Sequence, residues 1–185
     1  MTKLQINYKI KKFNPLSITD ELKSNLMVIE KDCFKPSIRE TWKSKKEIIK
    51  NCNIVLFAWL DDWTIIGEAY VETKLQEGGE DHNHPDFIHL KKVFAKMKKE
   101  NGIYFYSFAV LPVYQGLGIG RKLLLTMIKE CKKQGFSCIY SHSNEGQSAH
   151  LFEKVGGVFI TKRKNWFDTG NNYSLFKINL FKEDK

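Results

Sequence analysis

A glycine-rich loop near the middle of the chain contains the residues whose types and spacing are best suited to chemistry. Residues 115–120 read Gln-Gly-Leu-Gly-Ile-Gly and are followed by Arg121. An apolar segment ending at Val110 is typical of a buried strand, and a helical pattern begins near Ile119. The loop therefore exposes unpaired N–H groups at the positive end of a helix dipole, which attracts phosphate. Because glycines lack Cβ atoms, a pyrophosphate can approach their amides closely.

Two other phosphate-binding motifs do not fit this loop. A dinucleotide fingerprint, GxGxxG, that starts at Gly116 and Gly118 would need its third glycine at Arg121. Residues 138–141 also offer no acidic side chain for a ribose. The P-loop pattern GxxxxGK[ST] does not occur in the chain. A structural interpretation, in which the glycines only form a tight strand-to-helix turn, stays open.

The loop and a second segment resemble the GCN5-related N-acetyltransferase (GNAT) superfamily. The family pattern is Q/R-x-x-G-x-G/A at the start of a helix, and Gln115, Gly118 and Gly120 stand at its three fixed positions. Residues 108–112 resemble the family's strand-to-loop junction, and residues 144–156 resemble its helix that begins after an asparagine and ends at a glycine. The resemblance covers roughly residues 103–160.

The resemblance implies acetyl-CoA as cosubstrate, with residues 115–121 around its pyrophosphate. Free backbone groups of the preceding strand would bind the pantetheine arm and polarise the thioester carbonyl. Asn144 resembles the family's side-chain contact to CoA, one residue further from Phe152 than is usual. The implied cofactor-binding residues are Phe108, Val110, Gln115, Gly116, Gly118, Gly120, Arg121, Asn144, Ser148 and Phe152.

Direct acetyl transfer needs a neutral amine, so a protein commonly supplies a base for the ammonium proton and an acid for the leaving thiolate, although ordered water can replace either group. In many family members a tyrosine is the acid, but Phe152 stands at the matching position here. Tyr104 and Tyr173 are alternative acids. For the base, we predict Glu68, which alternates with apolar residues on a predicted strand and is expected to face the cleft, or Tyr104. His142 is a further candidate.

The acceptor is expected to be a small-molecule or peptide amine. An acidic, histidine-containing loop could recognise a cationic acceptor, and its spacing matches no standard metal site, so we expect no metal. The helix after this loop is expected to form one wall of the acceptor pocket. The loop residues concerned are Glu77, Glu80, Asp81, His82, His84 and Asp86.

Hydrophobic periodicity predicts an α/β (α+β) fold. We expect a single domain over residues 1–185, with a mixed, mainly antiparallel central sheet of six to seven strands and helices on both faces. Capping patterns at Ser17 with Asp20, and at Ser37 with Glu40, predict the starts of the first two helices. Strands are predicted at residues 5–11, 53–60, 64–74, 103–110, 136–142, 158–162 and 173–180, and helices at 18–33, to about 51, 87–97, 119–134 and 147–155.

The composition excludes some classes of function. The formal charge is +9, yet only three of the 30 basic residues are arginines, which argues against a dedicated nucleic-acid reader.

Since no segment resembles a signal peptide or a membrane span, we expect a cytoplasmic protein with no membrane partner. A homodimer is possible. The alternative function is a catalytically idle acyl-CoA sensor. The four cysteines form no CxxC pair and are expected to be reduced structural thiols.

Overall fold

A seven-stranded sheet with helices on both faces forms the centre of the molecule. The structure, a computed structural model, describes residues 6–76 and 82–181. Its strands are β1 (Tyr8–Phe13), β2 (Ile54–Leu60), β3 (Ile65–Glu72), β4 (Gly102–Val110), β5 (Cys138–Asn144), β6 (Val158–Arg163) and β7 (Tyr173–Asn179). Its α-helices are α1 (Lys23–Cys33), α2 (Trp42–Asn51), α3 (Pro85–Lys99), α4 (Ile119–Lys133) and α5 (Gln147–Lys154).

The strand order is β1-β2-β3-β4-β5-β7-β6. Neighbouring strands run antiparallel except for β4 and β5, which run parallel. A parallel pair needs a crossover connection, and α4 provides it between these two strands. The predicted mixed, mainly antiparallel sheet of six to seven strands is confirmed.

Strand β2 shows how the sheet separates two cores. Ile54 and Leu56 belong to the core that contains the inner face of α4, whereas Val55 and Phe57 belong to the core beneath α1 and α2. Successive side chains of a strand point to opposite faces, so a continuously apolar strand supplies both cores at once. The nearly complete burial of β2 and β3 therefore follows from helices covering both faces.

Strands β4 and β5 separate after a short paired segment. Their register runs only from Gly102 opposite Cys138 to Tyr104 opposite Tyr140. On its other edge β4 contains a bulge, because Tyr70 and Val71 of β3 face Ser107 and Phe105, so that the register passes over Tyr106. Beyond Tyr104 and Tyr140, β4 and β5 diverge, and a cleft opens between them.

The predicted helix starts need correction. α1 begins at Lys23, after a 3₁₀ turn at Asp20–Leu22, rather than at residue 18. The carboxylate of Asp20 caps no helix but accepts a hydrogen bond of 2.8 Å from the indole of Trp42. For α2 the N-cap is Thr41, whose hydroxyl accepts from the amide of Ser44 at 3.2 Å. The capping patterns thus lay close to both helix starts but named the wrong side chains.

Strand β1 starts later than predicted, at Tyr8, and residue 5 lies outside the described residues. Cys33, Cys52, Cys131 and Cys138 are free thiols. Burial raises the pKa of the Cys33 and Cys131 thiols to about 12. Within residues 6–76 and 82–181, the helices are too short or too polar to cross a lipid bilayer.

Candidate active site

The glycine loop lies at the carboxyl end of β4, where α4 begins. Gly116 and Gly118 have φ values of 77° and 83°, in the left-handed region that favours glycine. A Cβ at either position would meet no atom within 4 Å, so backbone conformation and not crowding calls for glycine here. Gly118 is the N-cap of α4 and provides no side-chain cap. The first N–H groups of α4 are therefore left for a ligand.

Gly120 lies in the first turn of α4, beside Phe108 of β4 and Leu151 of α5, at distances that leave room for a Cβ in ordinary van der Waals contact. A Cβ at this position would stand 3.4 Å from the Phe108 ring and 3.6 Å from Leu151. Arg121 is exposed and lines the cleft, whereas the ammonium of Lys122 lies 4.8 Å from the centre of the Tyr8 ring. Of these two neighbouring basic residues, Arg121 faces the cleft.

The end of β4 presents backbone groups to the cleft. The amide of Leu111 donates to Ile66 on β3 at 3.0 Å. Because backbone groups alternate along a strand, those of Phe108 and Val110 point to the opposite, open edge. The Val110 carbonyl already accepts a hydrogen bond of 2.8 Å from the Gln115 side-chain amide. The N–H groups of this edge are then the available donors, and Gln115 shapes the loop through its side chain.

The opposite wall of the cleft begins where β5 ends. Asn144 is the last residue of β5, and the hydroxyl of Ser148 donates to its carbonyl at 2.9 Å. The cleft has a volume of about 1370 Å³. It brings together nine of the ten implied cofactor-binding residues, namely Phe108, Val110, Gln115, Gly116, Gly118, Gly120, Arg121, Asn144 and Ser148.

Phe152 is the implied cofactor residue that the structure places elsewhere. It is 1% exposed and does not line the cleft. Its ring packs against Phe105, Phe108 and Phe176 at centroid distances of 5.7, 6.0 and 6.2 Å. The predicted contact with the cofactor is corrected: an apolar ring at this position joins the aromatic core and supports Phe108 from behind.

Glu68 does not face the cleft, so that expectation is wrong. It is fully buried, and its carboxylate accepts hydrogen bonds from Lys45 at 2.9 Å, Tyr70 at 2.5 Å and Ser107 at 2.7 Å. Burial disfavours the charged form of Lys45, but the carboxylates of Glu68 and Glu30 outweigh this and raise its pKa. A carboxylate held by a fixed cation in the core stabilises the fold and is poorly placed to take a proton from a substrate.

The same buried network reaches a wall of the cleft through Glu30. Lys45 donates to Glu30 at 2.6 Å, and Glu30 accepts from the backbone amide of Glu40 at 3.1 Å. Glu40 in turn accepts a hydrogen bond of 2.7 Å from the hydroxyl of Tyr106, the bulged residue of β4. Glu40 and Tyr106 both line the cleft. The network therefore fixes the segment before α2 against the cleft wall.

A second polar cluster lies where β4 and β5 separate. The Tyr104 hydroxyl lies 2.8 Å from Nδ1 of His142, and Nε2 of His142 lies 3.1 Å from Nε2 of His89. Burial, aided by His89 and by Arg163, places the pKa of His142 well below its usual value. His142 is therefore neutral near pH 7 and can accept a proton. Tyr104 and His142 both line the cleft.

Aromatic residues of the β6–β7 connection cover this cluster. The ring of Trp166 stacks on His142 at 4.2 Å. Phe167 has a φ of 42°, which is unfavourable for a non-glycine residue and needs support from its surroundings. Asp86, at the start of α3, supplies that support by accepting from the Phe167 amide at 2.9 Å and from Arg163 at 2.8 Å.

These contacts give structural roles to two residues of the predicted acidic loop, whose recognition of a cationic acceptor stays a prediction. Asp86 is engaged with Arg163 and Phe167, and His84 caps α3 by accepting from the Asp86 amide at 3.1 Å. Glu77, Glu80 and Asp81 lie outside the described residues. The described part of the chain contains no group of three potential metal ligands.

Leu90 of α3 and Trp166 of the β6–β7 connection line the cleft, and a wall of the acceptor pocket formed by α3 stays a prediction. Sequence reasoning named Tyr104 and His142 but missed His89, Lys45 and Trp166. His89 and His142 are 53 positions apart, and no local pattern joins them. A lysine in an otherwise amphipathic helix also gives no signal that its side chain is buried.

Comparison with protein families places residues 23–157 in the acetyltransferase (GNAT) family. The chain belongs to this family. A Haemophilus influenzae ribosomal protein bS18-alanine N-acetyltransferase is 36% identical over 63 residues, which are 34% of this chain and 43% of that protein. The chain thus matches less than half the length of this curated relative.

Solved structures of GNAT proteins share the fold. The Escherichia coli ribosomal-protein-S18-alanine N-acetyltransferase superposes with a TM-score of 0.67 at 16% identity, with 97% of each chain covered. The NatC complex bound to Gag peptide and CoA gives a TM-score of 0.66 at 13% identity, with 95% of this chain and 100% of that chain covered. At these identities the likeness shows the fold alone.

Proposed function

We propose that this GNAT protein is an acetyl-CoA-dependent N-acetyltransferase that transfers the acetyl group to a primary amine of a small molecule or a peptide by direct attack. One observation carries the proposal. A single cleft has the open edge of β4 and the glycine loop on one side and the Tyr104–His142 pair on the other. The ribosomal-protein acetyltransferase relative and the NatC structure with peptide and CoA support an acyl-CoA cosubstrate and an amine acceptor.

The residues present fit acetyl-CoA. Uncapped amides at the start of α4, two glycines in left-handed conformations and the exposed Arg121 suit a pyrophosphate. Amide donors at Phe108 and Val110 suit the pantetheine arm and the thioester carbonyl. When bound, the cosubstrate supplies the activated acetyl group. Asn144 and Ser148 form the opposite wall of the cofactor half of the cleft.

Tyr104 and His142 are assigned to proton transfer. A neutral His142 accepts the Tyr104 hydroxyl proton at Nδ1 while the Tyr104 oxygen takes a proton from the ammonium of the acceptor. The N–H bond of the ammonium and the O–H bond of Tyr104 break. A new O–H bond forms on Tyr104 and a new N–H bond forms on His142. The proton ends on His142, and the amine is left neutral for attack. As the C–N bond forms and the C–S bond breaks, the amine nitrogen would give up its second proton to the departing sulfur. Tyr104 keeps its predicted role in the site, whereas Glu68 does not.

The proposal is tested by calorimetric titration with acetyl-CoA and by release of free CoA thiol in the presence of peptides and small amines. We expect binding, together with thiol release that depends on an amine. Tyr104→Phe should retain acetyl-CoA binding and lose most of the transfer. Binding without amine-dependent release would instead identify an idle acyl-CoA sensor. Failure to bind at millimolar acetyl-CoA would refute both functions.

A further inference from the structure

The connection between β3 and β4 is much longer than the topology requires. These strands are antiparallel neighbours, which a turn of a few residues can join. Instead, residues 73–101 connect them and include the 15 residues of α3. This helix places His89 against His142 at the point where β4 and β5 separate.

The sense of the hydrogen bonds around His142 follows from the acidity of the groups. A phenol O–H is a stronger acid than a neutral imidazole N–H, and an imidazole nitrogen is a stronger base than a phenol oxygen. Tyr104 therefore donates to Nδ1 of His142. Since neutral histidine bears one ring proton, that proton is on Nε2 of His142, which faces Nε2 of His89 at 3.1 Å. This contact is favourable only if His89 accepts.

We propose that His89 is a positioning residue that accepts a hydrogen bond at Nε2 from Nε2–H of His142 and thereby holds His142 in the tautomer whose Nδ1 can take a proton. The consequence for catalysis rests on the proposed function. When His142 takes the proton from Tyr104, its Nε2–H still points at a lone pair of His89, so the imidazolium keeps its partner. His89 thus serves His142 as an orienting group serves a general base.

The surroundings of His89 favour its neutral form. Burial lowers its pKa, and the positive charge of Arg163 acts in the same direction, against the opposing effect of Asp86. A protonated His89 would turn Nε2–H toward Nε2–H of His142 and break the contact. Within residues 6–76 and 82–181, the titratable and charged groups around His89 and His142 are Tyr104 on β4, Arg163 on β6, and Asp86 and Lys92 on α3.

The first test needs no substrate. Long-range ¹H–¹⁵N correlation spectra of the protein at pH 8 report which nitrogen of each histidine carries the proton. We expect Nε2–H for His142 and Nδ1–H for His89. His89→Phe should reduce the Nε2–H population of His142, and His89→Gln, whose amide oxygen can accept, should retain it. Finding Nδ1–H on His142 in the unchanged protein would overturn the proposal.

The second test uses an amine that the protein has been shown to acetylate. His89→Phe keeps a ring but removes the acceptor, so kcat should fall about tenfold with little change in KM. His89→Gln should keep most of the rate. If the ring of His89 only fills space, the order reverses: the phenylalanine variant stays active and the glutamine variant does not. On the same helix, the exposed Lys98 does not line the cleft and provides the control, Lys98→Gln.

The two tests separate failure of this proposal from failure of the proposed function. If the unchanged protein transfers acetyl to no amine, the proposed function fails, and the spectra still decide the role of His89. Thermal unfolding of both His89 variants identifies loss of folding. If the phenylalanine variant does not fold, the spectra of the glutamine variant and of the unchanged protein still test which nitrogen of His142 carries the proton.

Discussion

Two polar clusters lie beside β4, and they are built in opposite ways. The charged cluster, Glu30, Lys45 and Glu68, is at most 4% exposed and joins full charges at 2.6 to 2.9 Å. The histidine cluster, Tyr104, His142 and His89, links neutral groups and lines the cleft through Tyr104 and His142. Buried charges need fixed partners, whereas a neutral acceptor beside a cleft can change its protonation during a reaction.

Strand β4 connects the clusters. Ser107 belongs to the charged cluster through its bond to Glu68, and Tyr104 belongs to the histidine cluster. Tyr106, between them, contacts Glu40, whose amide the charged cluster holds through Glu30. The charged cluster therefore sets the position of the strand on which the proposed proton transfer depends. Breaking the charged cluster should lower the stability of the fold, whereas breaking the histidine cluster should lower the rate of acetyl transfer.

The largest effect is expected from breaking the charged cluster. Lys45→Ala would leave Glu30 and Glu68 buried without their cation and should lower the free energy of unfolding by about 3–5 kcal/mol. Urea denaturation measures this loss. On the same helix, Lys50→Ala removes an exposed pair with Glu47 at 3.1 Å and should cost less than about 0.5 kcal/mol. Equal losses in the two variants would contradict the role given to Lys45.

The next effect concerns rate. His142→Phe retains a ring to stack on Trp166 but removes the nitrogen that receives the proton. The rate of acetyl transfer should fall about 100-fold, the lower end of what general bases contribute. Steady-state kinetics with an established amine measures this change, and acetyl-CoA binding by calorimetry should be retained. A variant with an unchanged rate would remove His142 from the mechanism.

Local pattern was sufficient for most of the fold and for the glycine-loop side of the cleft. The glycine loop is contiguous in sequence. The spacing of its glycines predicted both unusual backbone torsions and a position directly before a helix. The β-branched and aromatic residues of β2 and β3 likewise predicted strands, and burial on both faces accounts for their almost continuous apolar sequence. Glu68 shows where alternation fails. It gives the face of a strand but does not tell whether that face meets a cleft or a buried lysine.

The side of the cleft with Tyr104 and His142 depends on contacts between distant segments. His89 and His142 are 53 positions apart, and Asp86 reaches Arg163 across 77. Periodicity predicted α3 as an amphipathic helix, yet the function inferred for it comes from one polar residue at the edge of its apolar face. Only the packing of α3 against β5 and the β6–β7 connection reveals that role.

A third prediction compares the clusters by pH. Because the pKa of His142 is lowered in the folded protein, its neutral form stabilises the fold fully above the unfolded value near 6.5, and this contribution is lost as pH falls toward the folded value. Between pH 7.5 and 5.5 His142 should account for a loss of about 1.4 kcal/mol in unfolding free energy. In His142→Phe this part of the loss should be absent, as urea denaturation at both pH values can show. An equal loss in the variant would mean that His142 is not kept neutral by folding.

The smallest effect tests whether the charged cluster acts as one unit. Ser107→Ala and Tyr70→Phe each remove one hydrogen bond to Glu68 and should each cost about 1 kcal/mol. The Lys45 ammonium still holds the carboxylate after either change, but after both it is the only one of these three donors left. The double variant should therefore lose at least about 0.5 kcal/mol more than the two single losses together. Additive losses in urea denaturation would show that the hydroxyls act independently, and the charged cluster would then reduce to its ion pairs.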